Sequence, residues 1–133
     1  MAKKKIVFTN GCFDILHRGH VELLQFCKTY GKVIVGLNSD RSVKALKGPK
    51  RPVYKQKDRK YMLMSCKYVD DVIIFDEDTP YDLIKKIKPD IIVKGGDYKP
   101  ENVVGKDLCE KVIIFKYIDG YSTTKAIQNI GDR

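Results

Sequence analysis

Two histidines three residues apart form the part of this sequence best suited to chemistry. His17 and His20 are the only histidines among the 133 residues, and both lie in the segment Thr9–His20, which reads TNGCFDILHRGH. The apolar run before the segment predicts a strand, and the pattern after it predicts a helix. One helical turn between the rings would place both at the helix N-terminus, where backbone N–H groups and a partial positive charge attract phosphate.

The chemistry that this arrangement favours is stabilisation of charge on a phosphate during group transfer, rather than attack by a protein nucleophile. Gly19, between the histidines, would let a bulky anion approach the backbone closely. A metal site is less favoured, because two histidines without a third ligand nearby leave the coordination incomplete. The alternative is that both histidines are ordinary surface or helix-capping residues.

The elements that must position this motif alternate between strand and helix. Short apolar runs predict buried strands, and helical spacing or capping signals lie between them. We expect strands over Lys4–Thr9, Lys32–Asn38, Val72–Phe75, Ile91–Val93 and Val112–Phe115. We expect helices over Gly19–Tyr30, Ser42–Leu46, Gln56–Cys66, a stretch starting near Thr79-Pro80, and Ser122–Ile130.

This alternation indicates an α/β fold, namely a single Rossmann-like, doubly wound domain over residues 1–133. Its five-stranded parallel sheet would be covered by helices on both faces. In such sheets ligands bind beyond the carboxyl ends of the strands, near the switch in strand order. Because every candidate motif follows a strand, we expect the motifs to meet at that edge.

The net charge of +9 is confined to one segment. Residues 41–67 contain ten lysines and arginines and one acid, so the rest of the chain sums to zero. Such a zone indicates a polyanionic partner, which could be nucleic acid, a membrane surface or small phosphates, or else it is a solvated lysine-rich face. Nucleic-acid binding is disfavoured, because Tyr54 and Tyr61 do not form a stacking platform.

Several classes of protein do not fit the sequence. The apolar runs are far shorter than the ~20 residues of a membrane span, and no long apolar stretch follows the basic N-terminus as in a signal peptide. The cysteines lie far apart, at positions 12, 27, 66 and 109, without a Cys-x-x-Cys pair. Free thiols in a reducing cytoplasm therefore fit better than a disulfide framework or a structural zinc.

The segment Gly11-Cys12-Phe13-Asp14, followed by the HxGH motif His17-Arg18-Gly19-His20, resembles the signature of the cytidylyltransferase-like nucleotidyltransferase superfamily. The resemblance extends from about Lys5 to Ile130. It implies in-line attack of an acceptor phosphate on the α-phosphorus of a nucleoside triphosphate, with release of pyrophosphate and no covalent enzyme intermediate. It also implies a homodimer, and Mg²⁺ held mainly by the triphosphate rather than by the protein.

The resemblance further implies roles for individual residues. His17 and His20 would be catalytic, together with a lysine after the second strand and an arginine on the next helix. By position these are Lys44 or Lys47, and Arg59. The nucleotide-binding candidates lie in the first motif, the basic loop and two later motifs, VKGGDY from Val93 and DGYSTT from Asp119: Asn10, Gly11, Cys12, Phe13, Asp14, Gly19, Arg51, Gly95, Asp97, Gly120, Ser122, Thr123 and Thr124. For the later motifs, a tight turn and a helix cap are the alternatives.

Five segments together look most like the branch of the superfamily that transfers AMP from ATP to heptose 1-phosphate, a precursor of lipopolysaccharide. They are Asn38-Ser39-Asp40, Leu46-Lys47-Gly48, Arg51-Pro52-Val53, Lys94-Gly95-Gly96-Asp97-Tyr98 and Asp119-Gly120-Tyr121-Ser122-Thr123-Thr124. That enzyme is often fused to a sugar kinase, which does not fit in 133 residues, so we expect a stand-alone form. The alternative is a glycerol-3-phosphate cytidylyltransferase, which uses CTP. Those enzymes usually carry an arginine where this sequence has Tyr117, and Gly-Asp-Asp-Trp where it has Gly95-Gly96-Asp97-Tyr98. A nucleic-acid-binding module is a more remote alternative.

Overall fold

The computed structural model describes residues 4–116, which form a five-stranded sheet in which all neighbouring strands are parallel. The strands are β1 (Ile6–Gly11), β2 (Lys32–Asn38), β3 (Asp71–Phe75), β4 (Ile91–Gly95) and β5 (Lys111–Phe115). Their order across the sheet is β3-β2-β1-β4-β5. The predicted α/β class and the five parallel strands are therefore confirmed.

Helices connect these strands in the order expected from the sequence. They are α1 (Arg18–Lys28), α2 (Asp40–Lys47), α3 (Gln56–Met64) and α4 (Tyr81–Ile87). Two short 3-10 turns, Pro100–Asn102 and Lys106–Leu108, were not predicted. The predicted bounds lie within two residues of the observed ones, and the helix predicted over Ser122–Ile130 lies outside the described residues.

Alternating side chains of the strands pack on opposite faces of the sheet. Val7 of β1 belongs to a core cluster with Leu23 of α1 and Leu63 of α3. Its neighbour Phe8 belongs to a second cluster with Ile84 of α4. Because successive residues of a strand point to opposite faces, burial on both faces requires the continuous apolar runs seen in the sequence.

The strand order reverses between β1 and β4. The chain passes from β1 to β2 and β3 on one side, and then returns to β4 and β5 on the other. Loops that leave β1 and β4 therefore diverge, and a cleft opens between them at the carboxyl ends of the strands. Within residues 4–116, no helix has the length and apolar character needed to cross a bilayer.

Candidate active site

A cavity of about 580 Å³ lies at the carboxyl ends of the strands. Its wall includes the ends of four of them, at Asn10 of β1, Asn38 of β2, Phe75 of β3 and Lys94 of β4. The expected meeting of the motifs at this edge is therefore observed for the following candidates, which all line the cavity: Asn10, Gly11, Cys12, Phe13, Asp14, His17, His20, Lys47, Arg51 and Gly95.

Four other candidates in the described residues lie outside the cavity wall. Lys44 and Asp97 are exposed to solvent, and Gly19 is buried in the first turn of α1. Arg59 is buried beneath the site. The remaining candidates lie outside the described residues: Gly120, Ser122, Thr123 and Thr124.

The two histidines are held by a reciprocal hydrogen-bonded cap at the start of α1. The backbone N–H of Gly19 donates to Nδ1 of His17 at 3.0 Å, and the backbone N–H of His17 donates to Nδ1 of His20 at 3.1 Å. The rings stack with their centroids 3.7 Å apart. Because Nδ1 accepts in both neutral rings, the ring proton resides on Nε2, which is then a donor. The cap engages Nδ1 of each ring, and thereby fixes the orientation of the ring and the tautomer in which Nε2 carries the proton.

Both histidines are neutral at physiological pH. Burial lowers the pKa of His17. Burial, reinforced by the neighbouring His17, lowers the pKa of His20 to about 3. The cap has the same effect, because a protonated imidazole has no lone pair with which Nδ1 could accept a hydrogen bond. The pair therefore supplies neutral hydrogen-bond donors rather than a proton carrier.

The loop between β1 and α1 contains strained backbone. Phe13 and Ile15 have φ angles of 45° and 51°, in the left-handed region that β-branched and bulky residues rarely adopt. Asp14 lies between them and is only 1% exposed. Its carboxylate accepts hydrogen bonds from the backbone N–H groups of Val53 at 2.7 Å and Tyr54 at 2.9 Å. Asp14 therefore anchors the strained loop to the basic segment.

The basic segment contributes two cations to the cavity. Lys47 is the last residue of α2, and Arg51 lies in the following loop, where its Nε is 3.3 Å from Oδ2 of Asp14. Several other lysines of the segment are exposed and do not line the cavity: Lys44, Lys50, Lys55, Lys57 and Lys60. Most of the charge that distinguishes residues 41–67 therefore faces solvent.

Arg59 has a different position from the one expected of a triphosphate ligand. Its side chain is 1% exposed, and it donates to the carbonyl oxygens of Cys12 at 2.7 Å, Asn38 at 2.8 Å and Tyr54 at 2.9 Å. A fourth hydrogen bond, of 2.9 Å, joins it to the carboxylate of Asp40. A guanidinium has five N–H donors, so four are engaged within the protein. In this geometry Arg59 joins the ends of β1 and β2 to the basic loop and does not reach the cavity.

The described residues do not fit a metal held by the protein. No group of three or more histidines, cysteines or acids in residues 4–116 is arranged to bind a metal ion. The carboxylates that line the cavity are Asp14, which already accepts backbone hydrogen bonds, and the exposed Asp78.

Lys94 also lines the cavity, although the sequence motifs predicted no role for it. It is the charged residue of the buried strand Ile91–Gly95, and burial lowers its pKa. Its Nζ lies 4.9 Å from the ring centroid of Tyr98. A lysine in an otherwise apolar strand was the available signal. The other lining residues without a predicted role are Asn38, Leu46, Phe75, Asp78, Thr79, Pro80, Tyr98, Asn102, Val103 and Val104.

Comparisons with known proteins define the class to which this fold and site belong. A family model described as cytidylyltransferase-like matches residues 8–129, so the chain belongs to the cytidylyltransferase-like family. The resemblance inferred from the HxGH motif is therefore confirmed.

Individual relatives agree with this family. The bifunctional protein HldE of Aliarcobacter butzleri is 56% identical over 128 residues, which cover 96% of this chain and 27% of that protein. HldE of Nitratiruptor sp. is 58% identical over 128 residues, covering 96% of this chain and 28% of the relative. The chain thus spans little more than a quarter of the length of these curated relatives.

A solved structure matches the architecture. The crystal structure of the lipopolysaccharide core biosynthesis protein from Thermoplasma volcanium has a TM-score of 0.73 and 27% sequence identity to this chain. The match covers 86% of this chain and 98% of that one. The Rossmann-like architecture predicted from the sequence is confirmed by this neighbour.

Proposed function

We propose that this chain is an adenylyltransferase that transfers AMP from ATP to a sugar 1-phosphate, heptose 1-phosphate, and releases pyrophosphate. The observation that carries the proposal is the reciprocal cap, which presents two neutral imidazoles at the N-terminus of α1 in a cavity lined by Lys47 and Arg51. The choice of sugar phosphate is supported by the later sequence motifs, by the similarity to the HldE proteins and by the likeness to a lipopolysaccharide core biosynthesis protein.

The acceptor phosphate acts as the nucleophile. The second pKa of a phosphate monoester is about 6, so the acceptor is mainly a dianion at neutral pH and needs no general base. One of its oxygens forms a bond to the α-phosphorus while the bond from that phosphorus to the bridging oxygen breaks. The electron pair of the broken bond leaves with pyrophosphate.

The histidines stabilise the charge that develops in this step. Nε2–H groups of His17 and His20 donate hydrogen bonds to the oxygens of the reacting phosphate, assisted by the N-terminal N–H groups of α1. Neither ring has to gain or lose a proton, which is consistent with the lowered pKa of both.

Lys47 and Arg51, which form the basic wall of the cavity, stabilise the leaving pyrophosphate. Lys47 supplies a mobile positive charge, and the guanidinium of Arg51 can bind two phosphate oxygens at once. Asp14 holds Arg51 in place through their 3.3 Å contact. Mg²⁺ would be held mainly by the triphosphate oxygens and would offset part of their charge.

One assay tests the substrate assignment. Pyrophosphate release is measured with ATP, CTP, GTP and UTP, each combined with heptose 1-phosphate, glycerol 3-phosphate and other phosphorylated acceptors. We expect turnover with ATP and heptose 1-phosphate. Turnover with CTP and glycerol 3-phosphate alone would replace the substrates and leave nucleotidyl transfer intact. No pyrophosphate release with any pair would contradict nucleotidyl transfer itself.

The proposal includes a homodimer, as the resemblance implies, and a location in the cytoplasm, which the separated free cysteines favour. It includes no nucleic-acid or membrane partner. Sedimentation equilibrium on the full chain tests the first point. A monomer mass at the protein concentrations that support turnover would contradict the dimer.

A further inference from the structure

The lining of the cavity divides into a basic part and a part without a cation. The basic side chains of the lining are His17, His20, Lys47, Arg51 and Lys94. The loop between β3 and α4 and the segment that follows β4 contribute a cation-free wall, which among the described residues consists of Asp78, Thr79, Pro80, Asn102, Val103 and Val104. Phosphates are attracted to the basic part, so the cation-free wall suits a group without negative charge.

The two segments of the cation-free wall are packed together. Val103 belongs to the same core cluster as Ile84 of α4. The hydroxyl of Tyr81, the first residue of α4, donates to the carboxylate of Asp107 at 2.7 Å. A Cβ atom at Gly105 would lie 2.7 Å from Cδ1 of Ile84, so only glycine allows the chain to pass α4 this closely. These contacts hold the polar side chains of both segments beside one another in the cavity.

Asp78 sets the charge of the cation-free wall. It is exposed, and it forms no ion pair within residues 4–116. The neighbouring cation Arg41 is bound to the carboxylate of Asp76 instead, with distances of 3.0 and 3.1 Å from its Nε to the two oxygens. An ionised carboxylate only accepts hydrogen bonds, and it repels phosphate oxygens. Asp78 therefore disfavours a phosphate and favours a neutral group that carries hydroxyl donors.

The other side chains of this wall fit a sugar with several hydroxyl groups. The hydroxyl oxygen of Thr79 accepts from the backbone N–H of Tyr81 at 3.4 Å, so its O–H remains able to donate, and the amide of Asn102 can donate and accept. Pro80 and Val103 are buried and present apolar surface to the C–H groups of a ring. The ribose of ATP has only its 2′ and 3′ hydroxyls free, whereas a heptose 1-phosphate carries hydroxyls along its ring and its side chain. The polar groups of the wall therefore match the acceptor sugar better than the ribose.

We propose that the cation-free wall binds the hydroxyl groups of the acceptor sugar, with Asp78 as its main specificity-determining residue. The proposal rests on the proposed function, because it names the part of the acceptor that the same site selects. Asp78 accepts a hydrogen bond from one sugar hydroxyl, and Asn102 binds a second. The site thereby favours a sugar phosphate over a simple alkyl phosphate, which would leave both side chains without these partners.

The first test separates the two substrates kinetically. We expect Asp78→Ala to raise the KM for heptose 1-phosphate at least about tenfold, as for the loss of a hydrogen bond to a charged group, with the KM for ATP nearly unchanged. Asn102→Ala should raise the same KM about three- to tenfold, as for a neutral hydrogen bond. Glu101→Ala is the matched control, because Glu101 is an exposed acid beside Asn102 that does not line the cavity. A rise in the KM for ATP instead would place the ribose at the wall and overturn the proposal, as would no change in either KM.

The second test asks whether the effect of Asp78 depends on hydroxyl groups. Ethyl phosphate is a phosphate monoester whose carbon atoms carry no free hydroxyl, and it is measured as a competitor of heptose 1-phosphate. We expect its inhibition constant to be the same for wild type and Asp78→Ala. If Asp78→Ala weakened ethyl phosphate as much as heptose 1-phosphate, Asp78 would act on the phosphate or on the fold, and the proposal would be wrong.

The third test does not require turnover. Calorimetry measures the binding of heptose 1-phosphate to the full chain in the presence of α,β-methylene-ATP, with circular dichroism to confirm that each variant is folded. We expect Asp78→Ala to bind the sugar phosphate at least about tenfold more weakly than wild type, while both bind the nucleotide analogue equally. If the affinity for heptose 1-phosphate is unchanged although the wild type binds nucleotide and releases pyrophosphate, the role of the wall is wrong and the proposed function stands. If the wild type neither binds nucleotide nor releases pyrophosphate, the proposed function itself fails, and the role of the wall fails with it.

Discussion

Nδ1 of His20 accepts a hydrogen bond from the backbone N–H of His17, at 3.1 Å. The second histidine of the HxGH motif therefore fixes the backbone of the first, and the Gly19 N–H fixes the ring of the first in turn. In both side chains Nδ1 accepts the capping hydrogen bond, whereas Nε2 remains as the donor for catalysis. A substitution that keeps an acceptor at the position of Nδ1 but lacks Nε2 can therefore separate capping from catalysis.

Asparagine at position 17 should separate capping from catalysis. The amide oxygen of His17→Asn can accept from the Gly19 N–H, but the substitution removes the Nε2–H donor. We expect a free energy of unfolding close to wild type and a turnover number reduced about 10²–10³-fold, as for the loss of one oxyanion donor. Urea unfolding and pyrophosphate release measure the two quantities.

His17→Ala is the matched comparison. It should show the same loss of turnover and an additional loss of about 1 kcal/mol in stability, because the cap is removed as well. Wild-type turnover in His17→Asn would contradict the role of Nε2.

The stability of the protein should fall as the solution becomes acidic, in part through His20. Its pKa is about 3 in the folded protein, against 6.5 in the unfolded chain. Between these two values the unfolded state binds a proton that the folded state does not bind. The free energy of unfolding therefore decreases as pH falls below about 6.5, by up to about 1.4 kcal/mol per pH unit from this group.

The variant His20→Asn isolates this contribution. Urea unfolding at about pH 7 and about pH 5 should give a smaller difference for the variant than for wild type. Equal pH dependence in the two proteins would show that His20 is protonated in the folded state.

Replacement of Asp14 should loosen the basic wall of the site. Asp14→Asn places an N–H donor near the N–H groups of Val53 and Tyr54, and it weakens the contact with Arg51. We expect a loss of about 1–3 kcal/mol in stability, since buried hydrogen bonds to a charged group are lost, and a higher KM for ATP. Glu101→Gln, at an exposed site, is the control. An unchanged KM for ATP would show that the Asp14 anchor does not position Arg51.

Arg59 provides a test between a structural role and ligand binding. Arg59→Met removes the side-chain donor to three backbone carbonyls and one of the two donors to Oδ1 of Asp40, which keeps the Gln56 N–H. We therefore expect a loss of at least about 3 kcal/mol in the absence of nucleotide. Lys60→Met, exposed on the same helix, should be close to neutral. Thermal unfolding of nucleotide-free protein measures the difference. Normal stability combined with lost ATP binding would instead make Arg59 a ligand.

The sequence predicted the fold well because its signals are local. The apolar run of β2 is bounded by Lys32 and Asn38, and the observed strand has these same ends. The three-residue spacing of His17 and His20 likewise predicted that the rings share one side of the helix start, and they stack there.

The positions of isolated charged side chains were harder to predict, because they depend on contacts distant in sequence. Arg59 lies in a basic segment that faces solvent for most of its length. Its side chain is buried because it binds the carbonyls of Cys12, Asn38 and Tyr54 and the carboxylate of Asp40. Asp14 is predicted to bind nucleotide and it lines the cavity, but its hydrogen bonds to Val53 and Tyr54 could not be predicted, because these residues lie about forty positions away. The position of Lys94 in the cavity depends on the strand order, which places β4 beside β1.

The locked histidine pair also gives the protein a built-in spectroscopic reporter. The chain contains two histidines, and both line the cavity, so the ring ¹⁵N spectrum of the full chain consists of signals from the site alone. Each ring contributes an accepting Nδ1 and a protonated Nε2, whose resonances are well separated. Any molecule that binds there can be followed at the imidazoles themselves, in the unmodified sequence and without an attached label.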